Sequence, residues 1–332
     1  MTKTHTSDVA ATVRQIQELA SRGCEIVRVA VPRRQDARAI RQIKREIGEL
    51  PLVADVHFDH RLAVESLAAG ADGVRINPGN MKDTNAVAEV VRAASDHDAC
   101  IRIGVNSGSI RPRERGASPA AAPPGDLAEL LVSRTLQCLD FVTSLGFENV
   151  KLSLKASDVP TTIRANQLAA ERCDCPLHIG VTAAGPPGAA LVASSIGIGT
   201  LLAQGIGDTI RVSMTGSPLA EIRAAYDILE TLELRKRERP RIISCPTCGR
   251  CEIDLVKVVE EVQRRLPADA PPVNVAIMGC VVNGPGEAAD ADVGIAGGKG
   301  FAFLFRRGKK VRRLREDEMV DVLVDEVMKL KT

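Results

Sequence analysis

A repeated pattern over residues 1 to about 237 restricts the fold of this chain more than any other feature. A short run rich in Val and Ile is followed each time by a helical stretch of period 3.6. Strands and helices that alternate in this way predict parallel βα construction. We expect seven strands, at residues 25–31, 51–57, 73–77, 100–106, 149–155, 176–182 and 209–214.

This array predicts an α/β fold built on a (β/α)₈ TIM-type barrel. Such a barrel closes only with eight strands, and the chain starts with a helical pattern, so we expect the first strand to lie upstream of Met1. We assign residues 1–237 to this barrel. The charged, proline-containing segment at residues 234–241 predicts a linker to a small α+β domain over residues 238–332.

The ends of the predicted strands carry polar side chains, and most of them are cations. They are Arg28, Arg75, Arg102, Lys155 and Arg211, with Asn106 and Ser213 in equivalent positions. A single strand arginine is more often part of a structural ion pair, but several cations on one barrel rim require an anionic partner. Phosphate oxygens suit both Arg and Lys, so the rim predicts a diphosphate-sized ligand without naming it.

Asp55 and His57 should face the same side of their strand, because strand side chains alternate with period 2. A carboxylate beside an imidazole can orient the ring for proton transfer or for substrate binding, which makes both residues catalytic candidates. The alternative is a histidine that only bonds a backbone carbonyl.

Cysteines near the C-terminus form a second candidate site. Cys245 and Cys248 have C-x-x-C spacing and Cys280 follows much later, which indicates an iron–sulfur cluster held by a folded domain. Cys251 completes an all-thiolate set that suits either a 4Fe–4S cluster or structural zinc. Residues 1–8 lack the apolar core of a signal peptide, so we expect reduced thiols and a cytoplasmic protein.

The basic run at residues 306–315 predicts a hairpin that turns at Gly308, with a solvated edge strand. Nucleic-acid binding is disfavoured because aromatic residues make up only 2% of the chain and Trp is absent. We hypothesise instead that the run attracts an acidic electron carrier. The longest uncharged stretch, residues 183–207, is diluted by Gly, Pro and Ser and predicts a buried helix, not a membrane span.

Seven segments carry motifs of a known family, among them Cys-Pro-Thr-Cys-Gly-Arg at 245–250 and Gly-Cys-Val-Val-Asn-Gly-Pro-Gly-Glu at 279–287. The others are at residues 55–59, 75–80, 101–106, 155–158 and 205–209. Together they resemble the GcpE (IspG) family of hydroxymethylbutenyl diphosphate synthases over nearly the whole chain. The resemblance implies reductive opening of 2-C-methyl-D-erythritol 2,4-cyclodiphosphate in non-mevalonate isoprenoid synthesis, with electrons from ferredoxin or flavodoxin.

The resemblance also implies roles for individual residues. A 4Fe–4S cluster would be held by Cys245, Cys248 and Cys280, with Glu287 as a fourth, exchangeable ligand and catalytic residue. The implied contacts to the diphosphate and diol of the substrate are Arg28, Arg75, Arg102, Lys155 and Arg211 with His57, Asn106 and Ser213. Family members are homodimers in which the cluster domain of one subunit caps the barrel of the other.

Two departures from the family pattern keep alternatives open. Ala183 stands where the family has the glutamate of a Thr-Glu-Ala-Gly motif, and alanine cannot transfer a proton. The alternative function is therefore a catalytically impaired paralogue that binds a cluster and an anionic ligand. Cys251 is the alternative fourth ligand in place of Glu287.

Overall fold

The computed structural model describes residues 1–77, 83–110, 124–267, 269–282, 284–287 and 289–330, without the side chains at 109–110, 124–126, 285 and 287. Residues 78–80 of one family-like motif, Asn283 of another and the Glu287 side chain therefore lie outside the described part. Contacts divide the chain into two units, Met1–Arg235 and Lys236–Thr332.

The first unit contains parallel strands at each of the predicted positions. They are β1 Val27–Ala30, β2 Leu52–Asp55, β3 Gly73–Ile76, β4 Cys100–Asn106, β5 Val150–Lys155, β6 His178–Ile179 and β7 Thr209–Ile210. Strands β1 to β5 form a five-stranded sheet in chain order, and β6 pairs with β7 in a second sheet. A bridge between Leu152 and Leu177 connects β5 to the segment before β6. The α/β prediction is confirmed.

Strands β6 and β7 are shorter than predicted. The β6 segment stops pairing with β7 after Ile179, and its next backbone bond runs from Thr182 N to Ala156 O, just beyond β5. The segment bonds to β5 both before and after β6, whereas Arg211 N to Ile179 O is the last bond with the β7 segment among the described residues.

Helices follow the strands of the first unit and cover the sheet. They are α1 Val9–Ser21, α2 Arg34–Ile47, α3 His60–Ala68, α4 Thr84–Asp96, α5 Ser107–Ile110, α6 Pro124–Ser144, α7 Val159–Arg172, α8 Pro187–Ala203 and α9 Pro218–Thr231. Asp59, Asp83 and Asp158 cap the helices α3, α4 and α7 by accepting backbone N–H bonds. Each described helix is too short or insufficiently apolar to cross a lipid bilayer.

The second unit is a mixed sheet covered on one face by two helices. Its elements are β8 Arg241–Ser244, α10 Leu255–Arg265, β9 Asn274–Met278, the short helix α11 Gly284–Glu287, β10 Val293–Gly298, β11 Phe301–Arg306, β12 Lys309–Arg315 and α12 Met319–Lys329. The strand order is β12-β11-β10-β9-β8. β8, β9 and β10 are parallel, and β11 and β12 are antiparallel to their neighbours.

Strand β8 is absent from the sequence prediction, which placed Arg241 in a linker. Ile242 and Ile243 form a very short apolar run between a charged segment and the cysteine turn, and only pairing with β9 makes them a strand. The core of this unit lies between the sheet and the helices α10 and α12, where Val262, Leu323 and Val327 are fully buried.

Candidate functional site

The predicted cations of the first unit are largely buried. Arg75, Arg102 and Lys155 are less than a tenth exposed, and Arg28 and Arg211 are partly buried. Lys and Arg are almost never this buried without a counter-charge. These side chains come from strands β1, β3, β4 and β5 and from the segment after β7. Positive charge is therefore concentrated on the interior side of the sheet.

Asp55 at the end of β2 is the central carboxylate of this cluster. Its oxygens lie 3.2 Å from Nη1 of Arg75 and 3.8 Å from Nε of Arg28. Burial alone would raise the pKa of Asp55, but contact with His57 and the charges of Arg28 and Arg75 outweigh burial and hold this pKa well below its usual range. The carboxylate is therefore ionised at neutral pH, which suits an anchor for cations better than a proton donor.

His57 lies beside this pair and is about two-fifths exposed. Its Nε2 is 3.0 Å from Nη1 of Arg75 and 3.6 Å from Oδ1 of Asp55. A guanidinium nitrogen can only donate, so Nε2 accepts this bond in the tautomer that carries its proton on Nδ1. In the tautomer protonated on Nε2, the ring instead donates towards Asp55.

The backbone of β4 leaves room for the Arg75 guanidinium. Nη2 of Arg75 donates to Gly104 O at 2.9 Å, and a Cβ added at Gly104 would lie 2.3 Å from Nε of Arg75. A side chain at Gly104 would therefore displace the guanidinium.

Burial and mutual repulsion lower the pKa values of several cations in the cluster. Burial, together with the charge of Arg28, lowers the pKa of Arg102 and that of Arg211 to about 10. Burial and the charges of Arg211 and Arg28 lower the pKa of Lys155 well below its usual value. Such an arrangement costs folding free energy unless an anion enters it.

Several buried nitrogens of the cluster have no hydrogen-bond partner within the described residues. They are Nε of Arg28, Arg102 and Arg211. All three residues line a cavity of about 120 Å³. Buried polar groups are normally satisfied, so these donors fit an anionic ligand.

His178 in β6 belongs to the same cavity, although the sequence analysis did not select it. Its Nδ1 bonds the Thr209 hydroxyl at 2.9 Å, and its buried Nε2 has no partner in the described part of the protein. Burial and the charges of Lys155 and Arg102 lower the pKa of His178 well below its ordinary range, so the ring is neutral. A single histidine within a predicted apolar strand gave no distinctive signal in the sequence.

The other predicted barrel residues occupy the same region of the first unit. Asn106 ends β4 beside Lys155, its register partner at the end of β5, and Ser213 follows β7. Both are partly buried. Their roles stay predictions.

Replacement of Asp55 by asparagine tests the role of this carboxylate as an anchor. The variant leaves Arg28 and Arg75 without their counter-charge, so we expect a loss of about 3–5 kcal/mol in the free energy of unfolding at pH 7. The folded pKa of Asp55 is lowered, so its contribution is present above the unfolded pKa of about 3.9 and disappears as the pH falls below it.

Denaturant unfolding at pH 7 and at pH 3.5 measures this difference. Asp227→Asn is the control, because Asp227 forms an exposed pair with Arg223 and should cost less than about 1 kcal/mol. If the free energy of unfolding differs between wild type and Asp55→Asn by the same amount at both pH values, the assignment is contradicted.

The cysteines of the second unit meet at one edge of its sheet. Cys245 directly follows β8 and Cys280 lies two residues beyond β9, and these strands are parallel neighbours. Gly279 lies between the thiols: a Cβ built there would be 2.4 Å from Sγ of Cys251 and 3.6 Å from Sγ of Cys245. The backbone N–H of Cys251 donates a hydrogen bond to the carbonyl oxygen of Cys248 at 2.9 Å.

Two of these thiols have different hydrogen-bond partners. Gly279 N–H donates to Sγ of Cys245 at 3.3 Å, so this sulfur is an acceptor. Sγ of Cys251 lies 3.2 Å from the carbonyl oxygen of Ile253, to which a thiol can donate. Backbone N–H donors are typical around cluster sulfurs. The partner of Cys245 therefore resembles that of a cluster ligand, whereas the partner of Cys251 does not.

The described thiols match an iron–sulfur site in donor type and in their position on one sheet edge. Among the described side chains, no three His, Cys, Asp or Glu residues are close enough to hold a metal ion as they stand. Cys280 is buried, whereas Cys248 is exposed at the turn. The backbone of Glu287 belongs to α11, which lies on the same face of the sheet as Cys245, because Gly284 packs on Met278 and Ala296.

Comparison with known proteins gives consistent matches to both units. Residues 1–226 match the family model described as the GcpE TIM-barrel domain, and residues 241–329 match the GcpE protein C-terminal domain. A 4-hydroxy-3-methylbut-2-en-1-yl diphosphate synthase (flavodoxin) from Geobacter sulfurreducens is 49% identical over 330 residues, which cover 99% of this chain and 92% of that protein.

Proteins of the same name from two further bacteria are similar to this chain. The Aquifex aeolicus protein is 47% identical, with 100% of this chain and 91% of that protein covered. The Nitratidesulfovibrio vulgaris protein is 50% identical, with 95% of this chain and 80% of that protein covered.

Proposed function

This chain belongs to the GcpE family, and we propose that it catalyses the reductive opening of 2-C-methyl-D-erythritol 2,4-cyclodiphosphate to 4-hydroxy-3-methylbut-2-enyl diphosphate. It is an oxidoreductase of the non-mevalonate isoprenoid pathway. The conversion takes up two electrons together with protons, breaks the ring carbon–oxygen bond and releases one hydroxyl group as water.

The buried cation cluster of the first unit is the observation that carries this proposal. A cyclic diphosphate presents several anionic oxygens close together, and the Nε atoms of Arg102 and Arg211, which have no hydrogen-bond partner among the described residues, can donate to them. Bound phosphate would also favour the protonated form of Lys155, whose ammonium could then hold its proton against a phosphate oxygen. This unit would therefore orient the substrate and shield it from water.

We propose that the second unit holds a 4Fe–4S cluster through Cys245, Cys248, Cys280 and Glu287. When bound, such a cluster would supply the electrons and an iron atom that accepts a substrate oxygen. The acceptor role of the Cys245 sulfur supports this ligand set, and so does the position of Cys245 and Cys280 on one sheet edge. The contact of Cys251 with the Ile253 carbonyl, which a thiol can make as a donor, supports Glu287 over Cys251 as the fourth ligand.

Asp55 and His57 would prepare the substrate site. The ionised Asp55 keeps the guanidinium groups of Arg28 and Arg75 in place. In the tautomer protonated on Nδ1, His57 accepts from Arg75 through Nε2 and can donate through Nδ1 to a substrate oxygen. We also propose that flavodoxin or ferredoxin is the electron donor, that the protein forms a homodimer and that it is located in the cytoplasm.

Turnover by the anaerobically reconstituted protein tests the function. We expect product from the cyclic diphosphate with reduced methyl viologen as an artificial donor, together with about four iron atoms per chain. Zinc in place of iron would favour the structural zinc site. Product formed by Ala183→Glu but not by wild type would favour the impaired paralogue, because that variant restores the carboxylate of the family motif.

A further inference from the structure

The second unit carries basic residues at the same sheet edge as its cysteines. The parallel strands β8, β9 and β10 end there, so Cys245, Cys280 and the turn residue Lys299 share this edge. Phe301 of β11 lies opposite Gly298, the last residue of β10, and Arg313 of β12 lies opposite Phe303. The hairpin turn at Gly308 is at the far edge. Lys310 lies two residues after this turn, opposite Phe305, whereas Arg313 lies nearer the end of the sheet that carries the cysteines.

Two of these cations are fixed over aromatic rings. Nζ of Lys310 lies 3.1 Å from the ring centroid of Phe303, and the guanidinium carbon of Arg313 lies 3.9 Å from that of Phe301. The two rings are in edge contact, with centroids 5.1 Å apart. A ring positions a cation without neutralising it, unlike a carboxylate.

The ring of Phe303 lies on the face of the sheet opposite to helices α10 and α12. It packs against the small cluster that contains Met278 and Ala296, which is separate from the core under those helices. Cys245 packs against both clusters. We call the set of Lys299, Phe301, Phe303, Lys310 and Arg313 the cysteine-edge basic face.

The charges on this face are not compensated. Arg312 and Arg315, also in β12, form ion pairs with Glu318 and Asp317. Lys299, Lys310 and Arg313 are exposed and have no carboxylate within ion-pair distance among the residues that the structure describes. Exposed charges that remain uncompensated create an attractive field for an acidic partner.

We propose that the cysteine-edge basic face is the docking surface for an acidic electron-carrier protein of the flavodoxin class. The inference rests on the proposed function, because the carrier must deliver two electrons per turnover to a cluster held by cysteines that follow β8 and β9, at the end of the sheet where β10 reaches Lys299. The reduced carrier is oxidised in the complex and then has to leave, so a weak, salt-sensitive contact suits the task. Nucleic acid fits less well, because the cations cover the two phenyl rings that would have to stack on bases.

The neighbours Arg312 and Arg313 provide a matched pair of variants. Arg313→Gln removes an uncompensated charge from the face, whereas Arg312→Gln removes the same charge from an exposed ion pair with Glu318. We expect Arg313→Gln combined with Lys310→Gln to raise the Kd for oxidised flavodoxin about tenfold at 50 mM salt, and Arg312→Gln to change it less than about twofold. The double variant should also show a flatter dependence of Kd on salt between 50 and 200 mM.

Calorimetric titration with flavodoxin measures these constants without turnover, and turnover with reduced methyl viologen separates the two hypotheses. If wild type gives no product with the small donor, the proposed function fails. If wild type is active and the double variant binds flavodoxin as tightly as wild type, the docking surface is wrong. Loss of binding to a DNA or RNA oligonucleotide, with flavodoxin binding unchanged, would also overturn it. Unchanged iron content and circular dichroism of the variants confirm that they fold.

Discussion

Cys280→Ser is expected to reduce the iron content of the reconstituted protein from about four atoms to less than about one per chain and to abolish turnover. Cys280 is buried beside Gly279, at the edge of the sheet where Cys245 directly follows β8. A serine hydroxyl is a poor ligand for iron in a sulfide cluster, and no described sulfur is positioned to replace the lost thiolate except that of Cys251.

Cys251→Ser is the matched control for this prediction. The Cys251 thiol donates to the Ile253 carbonyl, and a serine hydroxyl can do the same, so we expect nearly full iron content and activity. Glu287→Ala should keep part of the iron but lose turnover. Iron analysis and absorbance spectra decide the outcome: loss of the cluster in Cys251→Ser alone would make Cys251 the fourth ligand.

Lys155→Met is expected to lower kcat/KM about 10²–10³-fold while it stabilises the fold. The ammonium of Lys155 is buried among Arg211, Arg28 and Arg102, so its removal relieves both burial and repulsion. We expect the free energy of unfolding to rise by about 1–3 kcal/mol at pH 7. A residue that reduces stability in the free protein and supports activity is typical of a binding site.

The pH dependence gives this prediction a second measurement. The folded pKa of Lys155 is lowered, so folding without a ligand is penalised below the unfolded pKa of about 10.4 and the penalty fades as the pH rises towards it. The stability gain of Lys155→Met should therefore shrink between pH 7 and pH 10 in thermal unfolding. Lys151→Met, four residues earlier in β5 and partly exposed, should leave kcat/KM within about threefold. An equal decrease of kcat/KM in Lys155→Met and Lys151→Met would refute a specific role for Lys155.

The seven strands of the first unit were predictable because each is a short apolar run followed by a helical pattern. The buried cations were predictable as a group, since each lies in a predicted strand. Arg75 and Lys155 lie near the carboxyl ends of their strands, whereas Arg102 lies near the start of β4. His178 was missed because one histidine in an apolar strand carries no distinctive signal. Its unpartnered Nε2 becomes evident only when β6 is placed beside β7. Strand β8 was missed because two isoleucines are too short a run to predict a strand.

The sequence alone determined the fold class and predicted the chemical type of both candidate sites, because hydrophobic periodicity and ligand spacing are local properties. Only the tertiary structure decided the state of individual groups. The ionisation of Asp55 depends on Arg28 and Arg75, which lie on neighbouring strands. The approach of Cys245 and Cys251 to Gly279 joins residues about thirty positions apart in the chain. Burial, hydrogen bonds and charge act over a few ångströms in space, and the order of residues does not specify those distances.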